Sequence, residues 1–563
     1  MLKRNEKCFR VVPEREVVTM PTRFSLIRSK RFLFLIIILI LSISKISIAQ
    51  KTSRGVDVSH FIAGNALTES EVADSAFYLA TFENEQDAKQ YLEKKTLIIR
   101  RLNSCTFIVK GESVKNLPVY PSLFKTNNLW KLSDNLLNAS SADKKENVYT
   151  LKLRYNISVA ALSALLPRIK IRDVRNNLVL IQCRQEELLK CVLPLDLITY
   201  IGNESQQAHT ESRVLDLNLA PNLISYLQHI RPDLNGEGIT ISVKENAFKP
   251  DDIDLEGRLI DSGLASATQD THATEMATII GGEGNSFVTG KGVAPKVYLT
   301  SSSFAVLTPD PNTSYTNFDI TLQNHSYGTQ VENMYGALAE AFDQQVKQLP
   351  YLLHVFSSGN DGASASTTGT YAGITGYANL TGNFKMSKNT LSVGSVDTLG
   401  RSLTLSSKGP AYDGRVKPEL VSYSMAGSSN SAALVSGVAT LLQQLYKQKF
   451  SGLPSVALQK ALLINGAQDI GQPGPDFKTG YGNLNAYQSI KLLQEEKFIE
   501  QSVNAFETKL HLLNVPPDVR NLKVTIVWDD VPALVNADVA LVNDLDMYIE
   551  TPNGDKIYPW VLD

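Results

Sequence analysis

The chain has 563 residues, 43% hydrophobic and 20% charged, which is too long for a single core and too apolar for disorder; three or four folding units are expected. A net charge of −2 removes the electrostatic basis for a polyanionic partner, so no nucleic acid is expected to bind. Four cysteines without a C-x-x-C or His/Cys cluster exclude a disulfide framework and point to no metal site.

In chain order, the first element is an address. Arg23, Arg28, Lys30 and Arg31 precede the run FLFLIIILILSI, and small residues lead to Ala49 and Gln50. A basic start, a short apolar stretch and a small-residue exit describe a signal peptide cleaved near Gln50. The uninterrupted apolar run ends at Leu41, short of the ~20 residues a membrane span needs. Residues 1–50 are therefore read as leader, with Met20 a second candidate start. The mature product is read as secreted or at the cell surface, with no transmembrane span after signal cleavage. Residues 51–75 read as a linker.

Residues 76–205 carry one pattern twice. The first copy runs AFYLATF, NEQDAKQYLEKK, SCTFIVKG and LFKTNNLWKLSD; the second runs VYTLKLR, SVAALSALLPRI, NLVLIQC, a short helical stretch and DLITYIGN. Each reads strand–helix–strand–helix–strand, the grammar of a small ferredoxin-like α+β module. Cys105, Cys183 and Cys191 all lie here. The polar stretch SQQAHTESR that follows suits proteolysis.

Residues 206–498 change texture. Short apolar strands (GITISV, KVYLTSS, FDITLQNHS, YLLHVFSSG, NTLSVGSV) alternate with helices (THATEMATIIGG, ENMYGALAEAFDQQVKQ, SAALVSGVATLLQQLYKQ, PSVALQKALLING). Strands buried on both faces and separated by helices predict an α/β domain with a mostly parallel sheet between helical layers. Such sheets bind ligands beyond the carboxyl ends of their strands. From 499 to 563 the pattern is all-β, with LKVTIVWDD and LDMYIETPNGDKIYPW as strands and Asn553-Gly554 as a turn. These are too few strands for a closed sandwich, so a truncated C-terminal β-sandwich is expected.

Four segments of the α/β domain place reactive side chains at strand exits and helix starts. Glu245 follows the strand of ISVKENAFKPDDIDLEGRL. His272 opens the helix THATEMATIIGG. Asn360 sits in the Gly-flanked turn of LLHVFSSGNDG. Ser429 lies in GSSNSAALVSG, a small-residue turn running into an apolar helix. Amides at a helix start hold developing negative charge, as a nucleophilic hydroxyl requires. Singly, each is better explained as a cap or turn residue; the ordered set is the signal.

The order acid, His, Asn, Ser resembles the subtilisin-like serine proteases over about Asn235 to Leu493. DLEGR starts at Asp254, nine positions past Glu245, as the family's D-L-x-G-R segment follows its acid. HATEMAT is similar to H-G-T-H-V-A-G, and Gly292–Pro295 reads G-V-A-P unchanged. NHSYG matches the segment that holds substrate, through Ser326, Tyr327 and Gly328. SSGNDG, LSSKGPAYDGRVKPEL, GSSNSAALVSG and the closing GYGNLNA fall in register with the remaining family motifs. The two N-terminal modules resemble the family's inhibitory propeptides, and LVNDLD resembles a β-sandwich that follows the protease domain in some bacterial members.

The resemblance implies a secreted endopeptidase acting on protein or peptide substrates through an acyl-enzyme. In it His272 is the base, Ser429 the nucleophile, Glu245 the orienting acid, and Asn360 with the Ser429 N–H the oxyanion hole. The propeptide would act as inhibitor and folding chaperone. No cofactor is required; calcium, which the family often binds, has no segment here with ligand spacing. Several positions depart from the family pattern. Glu245 stands where the family has Asp, and misplacing the carboxylate by about 1 Å costs ~10²-fold in rate; Asp251, Asp252 and Asp254 are nearby alternatives. Ala273, Glu275, Asn430 and Ala433 replace the family's Gly, His, Met and Pro. The competing reading is a catalytically impaired protein of the same fold that serves as a binding or cell-surface module. The propeptide junction falls between Asn203 and Arg213.

Overall fold

The computed structural model describes residues 6–10, 61–67, 71–73, 76–84, 86–88, 98–102, 105–113, 121–137, 145–203, 208–210, 217–560 and 562. The signal peptide and its cleavage point lie outside them, as does most of the helix expected at 84–95. No helix among the described residues is long and apolar enough to cross a membrane. The chain divides into two compact units, one of residues 13–203 with 534–539, the other of 1–12, 204–533 and 540–563.

The first unit contains both expected α+β modules. The second module pairs its strands in the order 198–202, 146–153, 178–184, 170–175, all antiparallel. Numbered along the chain this is the 4-1-3-2 order of a ferredoxin-like sheet. Helix Val159–Leu165 and the helical turns of 185–192 supply its helical layer. Ser158 Oγ caps the former, accepting from Ala161 N at 3.2 Å. The first module repeats the order, 122–126, 77–81, 106–110, 98–101, with Ile62–Leu67 added at one edge. In both copies the sequence reading missed the second strand, Ile98–Arg101 and Lys170–Arg175. Each pairs on one side only, and an edge strand tolerates charges such as those of KIRDVR, which erase the apolar signal. Cys105, Cys183 and Cys191 form no disulfide.

The second unit is built on six parallel strands: β1 Thr240–Glu245, β2 Tyr298–Ser303, β3 Ile320–His325, β4 Leu353–Ser357, β5 Leu391–Val396 and β6 Leu420–Tyr423. Their order is β2-β1-β3-β4-β5-β6. Five were expected; β6 is only LVSY, too short to stand out in its Lys- and Pro-rich surroundings. The order reverses at β1, and the carboxyl ends of β1 and β3 open the crevice where such sheets bind ligands.

Helices cover both faces. The helices used below are α1 Thr271–Gly281, α2 Ala337–Gln348 and α3 Ser428–Phe450. Consecutive strand residues point to opposite faces. Asn324 accordingly accepts from Ser436 Oγ of α3 at 2.9 Å, while His325 meets Phe342 of α2 with ring centroids 5.5 Å apart. The core on the α3 side includes Ile241, Val243, Leu322, Val355, Val393, Val435, Val438 and Leu442.

The expected C-terminal strands are realised in part. Tyr548–Glu550 and Lys556–Ile557 form a hairpin closed through Gly554, whose φ of +88° requires glycine. Leu510–Asn514 and Tyr548–Glu550 pair to either side of Glu6–Arg10. LKVTIVWDD forms no strand. Its polar groups are met instead by the α/β domain: Lys523 Nζ donates to Ile464 O at 2.8 Å, and Asp530 accepts from Lys388 Nζ at 2.6 Å.

At Gly437 α3 packs closely on the segment that follows α1, and a Cβ there would lie 2.5 Å from Val293 Cβ. Gly437→Val is expected to cost about 1–3 kcal/mol, read as a fall in thermal midpoint.

Candidate active site

Glu245 is the last residue of β1 and wholly buried; His272 is the second residue of α1 and 4% exposed. Asp270 caps α1, its Oδ1 accepting from His272 N at 3.0 Å, which sets the imidazole at the helix mouth. Glu245 Oε2 lies 2.9 Å from His272 Nδ1. The extra methylene of Glu relative to Asp has thus not carried the carboxylate away from the ring. A carboxylate can only accept, so Nδ1 bears the proton and Nε2 is the basic nitrogen. Nε2 makes no hydrogen bond among the described residues. Burial lowers the imidazole pKa, but the hydrogen bond and charge of Glu245, with Glu275 and Asp270, outweigh it and raise the net value above 6.5.

The alternative acids are placed elsewhere. Asp254 accepts from Asn285 N, Ser286 N and Ser286 Oγ; Asp252 Oδ1 accepts from Asp254 N at 3.0 Å; Asp251 is exposed. Among the described residues no group of three or more His, Cys, Asp or Glu side chains is arranged to hold a metal ion.

Ser429 is the second residue of α3 and fully buried. The turn before it depends on Gly427, whose φ is +120° and where a Cβ would come within 2.6 Å of Asn360 Nδ2. Asn360 Oδ1 accepts from Ser428 N at 3.0 Å and from Ser428 Oγ at 3.1 Å. These donors fix which end of the amide is oxygen, so Nδ2 faces the side of the nucleophile turn. Ser428 Oγ shares its single proton between Asn360 Oδ1 and Gly359 O, the latter at 3.0 Å, and Ser431 Oγ donates to Ser422 O at 3.0 Å. Both neighbouring hydroxyls are therefore structural. Ser429 Oγ donates to Ser326 O at 3.3 Å, while Ser326 Oγ donates to Ser429 O at 3.0 Å. The structure thus joins Ser326 to Ser429, Asn360 to Ser428, and Glu245 to His272.

Past β3, Tyr327–Gly328 leave the sheet and pair antiparallel with His209–Thr210. The Tyr327 side chain is buried, leaving only backbone to face an extended peptide. Its position depends on groups the sequence reading missed. Tyr327 Oη lies 3.1 Å from His325 Nδ1, and His325 Nε2 lies 3.0 Å from His354 Nδ1. His325 stacks on Phe356 with centroids 4.1 Å apart. Burial drives both histidines down, His354 to about 3 and His325 well below its usual range. Both stay neutral and serve as hydrogen-bonding spacers. A histidine inside a strand otherwise buried on both faces was the available clue.

Residues 236–482 match the model of the Subtilase family. Over 170 residues the chain is 26% identical to the serine protease/ABC transporter B family protein tagA of Dictyostelium discoideum, an alignment covering 27% of this chain and 10% of that protein. The chain thus spans about a tenth of the length of this curated relative. Among solved structures it is similar to fervidolysin from Fervidobacterium pennivorans, a keratinolytic enzyme, at 18% identity, 63% of this chain, 62% of that one and a TM-score of 0.43. It is also similar to the epidermin leader peptide processing serine protease of Staphylococcus aureus, at 13% identity, 62% of this chain, 100% of that one and a TM-score of 0.46.

The His272 ring is expected to titrate above 6.5 by NMR, and Glu245→Gln to bring its pKa down, because the substitution removes the charge that outweighs burial.

Proposed function

We propose that this chain is a secreted serine endopeptidase with a Glu245-His272-Ser429 triad. The observation that carries the reading is the 2.9 Å contact between Glu245 Oε2 and His272 Nδ1. It holds the tautomer in which Nε2 can take a proton. In the reaction Ser429 Oγ turns from Ser326 O toward Nε2, gives up its proton and bonds to the substrate carbonyl carbon. The oxyanion is held by Asn360 Nδ2 and the Ser429 N–H at the positive end of α3. Glu245 stabilises the imidazolium, which then protonates the leaving amine; water releases the acyl group by the same path reversed.

Protein or peptide substrates are supported by the edge that Tyr327–Gly328 present, since extended peptides bind by adding a strand. His209–Thr210 already pair there, which supports this segment as an intramolecular occupant of the substrate edge and its removal as the activating event. Export rests on the basic and apolar pattern before Gln50. One observation favours the competing reading of an impaired binding module: the Ser429 hydroxyl bonds Ser326 O and not His272.

A fluorophosphonate probe separates the two. Labelling of the processed protein that disappears in Ser429→Ala supports the protease; no Ser429-dependent labelling sinks it. Asn360→Ala is expected to lower kcat by about 10²–10³-fold with little change in KM. Because the base form of His272 is required and its pKa is raised, kcat/KM should fall as pH drops, with the acid limb centred above 6.5.

A further inference from the structure

The substrate edge at Tyr327–Gly328 rests on a short stretch of chain ahead of β5. Phe384 packs against the Tyr327 ring with centroids 5.5 Å apart, and it belongs to the helical turn Asn383–Met386. The near end of this stretch is fixed separately. Thr381 pairs antiparallel with Val331, and its N–H donates to Ser358 O at 3.4 Å. The far end carries Lys388 and Asn389, and where these two are held decides where Phe384 can sit.

Part of that hold comes from beyond residue 482, where the family match ends. Asp343 of α2 accepts from Lys388 N at 2.9 Å and from Asn389 N at 2.8 Å, which fixes backbone alone. The side chains go to the C-terminal segment. Lys388 Nζ donates to Asp530 Oδ2 at 2.6 Å and to Val531 O at 2.5 Å. Asn389 Nδ2 donates to Asp530 O at 2.8 Å, and Asp530 N donates back to Asn389 Oδ1 at 3.0 Å. A second link reaches the turn itself. Ala540 N donates to Asp413 Oδ2 at 2.9 Å, Asp413 pairs with Arg415, and Arg415 Nη2 donates to Met386 O at 2.8 Å. Lys388 and Asp530 are both buried. An ammonium left there without its carboxylate is costly, so the turn carrying it shifts toward solvent when the partner is lost.

We propose that Asp530 is a positioning residue for peptide binding: through Lys388 and Asn389 it keeps Phe384 beneath Tyr327, and so holds the substrate edge in place. The inference rests on the protease reading and adds to it a residue from outside the matched segment. The side-chain partners of Asp530 are Lys388, Val542 and Asn543, none of them in the triad. Its loss therefore weakens the grip on an extended peptide and leaves the chemistry at Ser429 alone. An interaction made equally with substrate and transition state shows in KM and not in kcat.

The test uses the processed full chain and fluorogenic peptides acetyl-Ala-Ala-Ala-X-aminocoumarin, with X varied to find the best substrate. Asp530→Asn removes the charge and keeps the shape. It is expected to raise KM about tenfold, with kcat and the rate of fluorophosphonate labelling at Ser429 unchanged. Asp530→Glu, which keeps the charge, should lie closer to wild type. Lys388→Met leaves Asp530 its bonds from Val542 and Asn543, so it is the milder change; it should raise KM in the same way and serves where Asp530→Asn does not fold. A wild-type KM in Asp530→Asn, or in Lys388→Met where the former does not fold, overturns the positioning role and leaves the protease standing. So does a fall in kcat and labelling rate that parallels the rise in KM, which marks a general loss of structure. A wild-type protein that neither labels nor cleaves any of the peptides overturns the protease reading itself, and the positioning role with it.

Discussion

The site turns on a carboxylate buried at the end of a parallel strand. A charge without solvent must be matched by a partner close at hand. Glu245 is wholly buried and meets the His272 ring at 2.9 Å. A charge-assisted bond of this kind contributes about 1.5–3 kcal/mol. It ties the last residue of β1 to the first turn of α1, and one contact thus sets strand end, helix start and tautomer together. The longer Glu side chain keeps its carboxylate within hydrogen-bond reach of the ring.

Around the serine the constraint is close approach. Gly427 and Gly359 lie in backbone conformations reserved for glycine, and a side chain on either would strike its neighbour. Their absence of side chains lets the Asn360 amide sit against the turn that begins α3. Ser428 then locks that amide through two bonds to Oδ1. The small residues of GSSNS are therefore individually accounted for: Gly427 makes the turn, Ser428 orients Asn360, Ser431 ties α3 to β6, and Ser429 is left facing Ser326.

The substrate edge shows how a buried layer supports a surface function. Tyr327 offers backbone outward while its ring packs with Phe304 and Phe384 and its hydroxyl meets the His325–His354 pair. Neutral imidazoles suit this place because each can donate at one nitrogen and accept at the other in a layer where a fixed charge would be expensive. The same α2-side layer holds the buried Lys244–Asp310 pair at 2.6 Å, with Ser302 Oγ and Gln323 Nε2 also donating to that carboxylate. Polar groups on this face are densely interconnected, which favours a single arrangement of the strands that carry the site.

Read alone, the sequence determined the α/β domain and the positions of Glu245, His272, Asn360 and Ser429. Period-two and helical patterning is local, and glycine-rich turns carry their reason with them. The two N-terminal repeats were legible for the same cause, short of their charged edge strands. The short strand β6 was not legible, because four residues without alternation carry too little signal. Nor was the loss of a strand at LKVTIVWDD, since a strand exists only through a partner that may lie anywhere in the chain. Only the tertiary structure decided which carboxylate meets His272 and that Tyr327 is anchored from beneath by two histidines. Those facts depend on residues tens of positions apart becoming neighbours, and sequence spacing does not encode that distance.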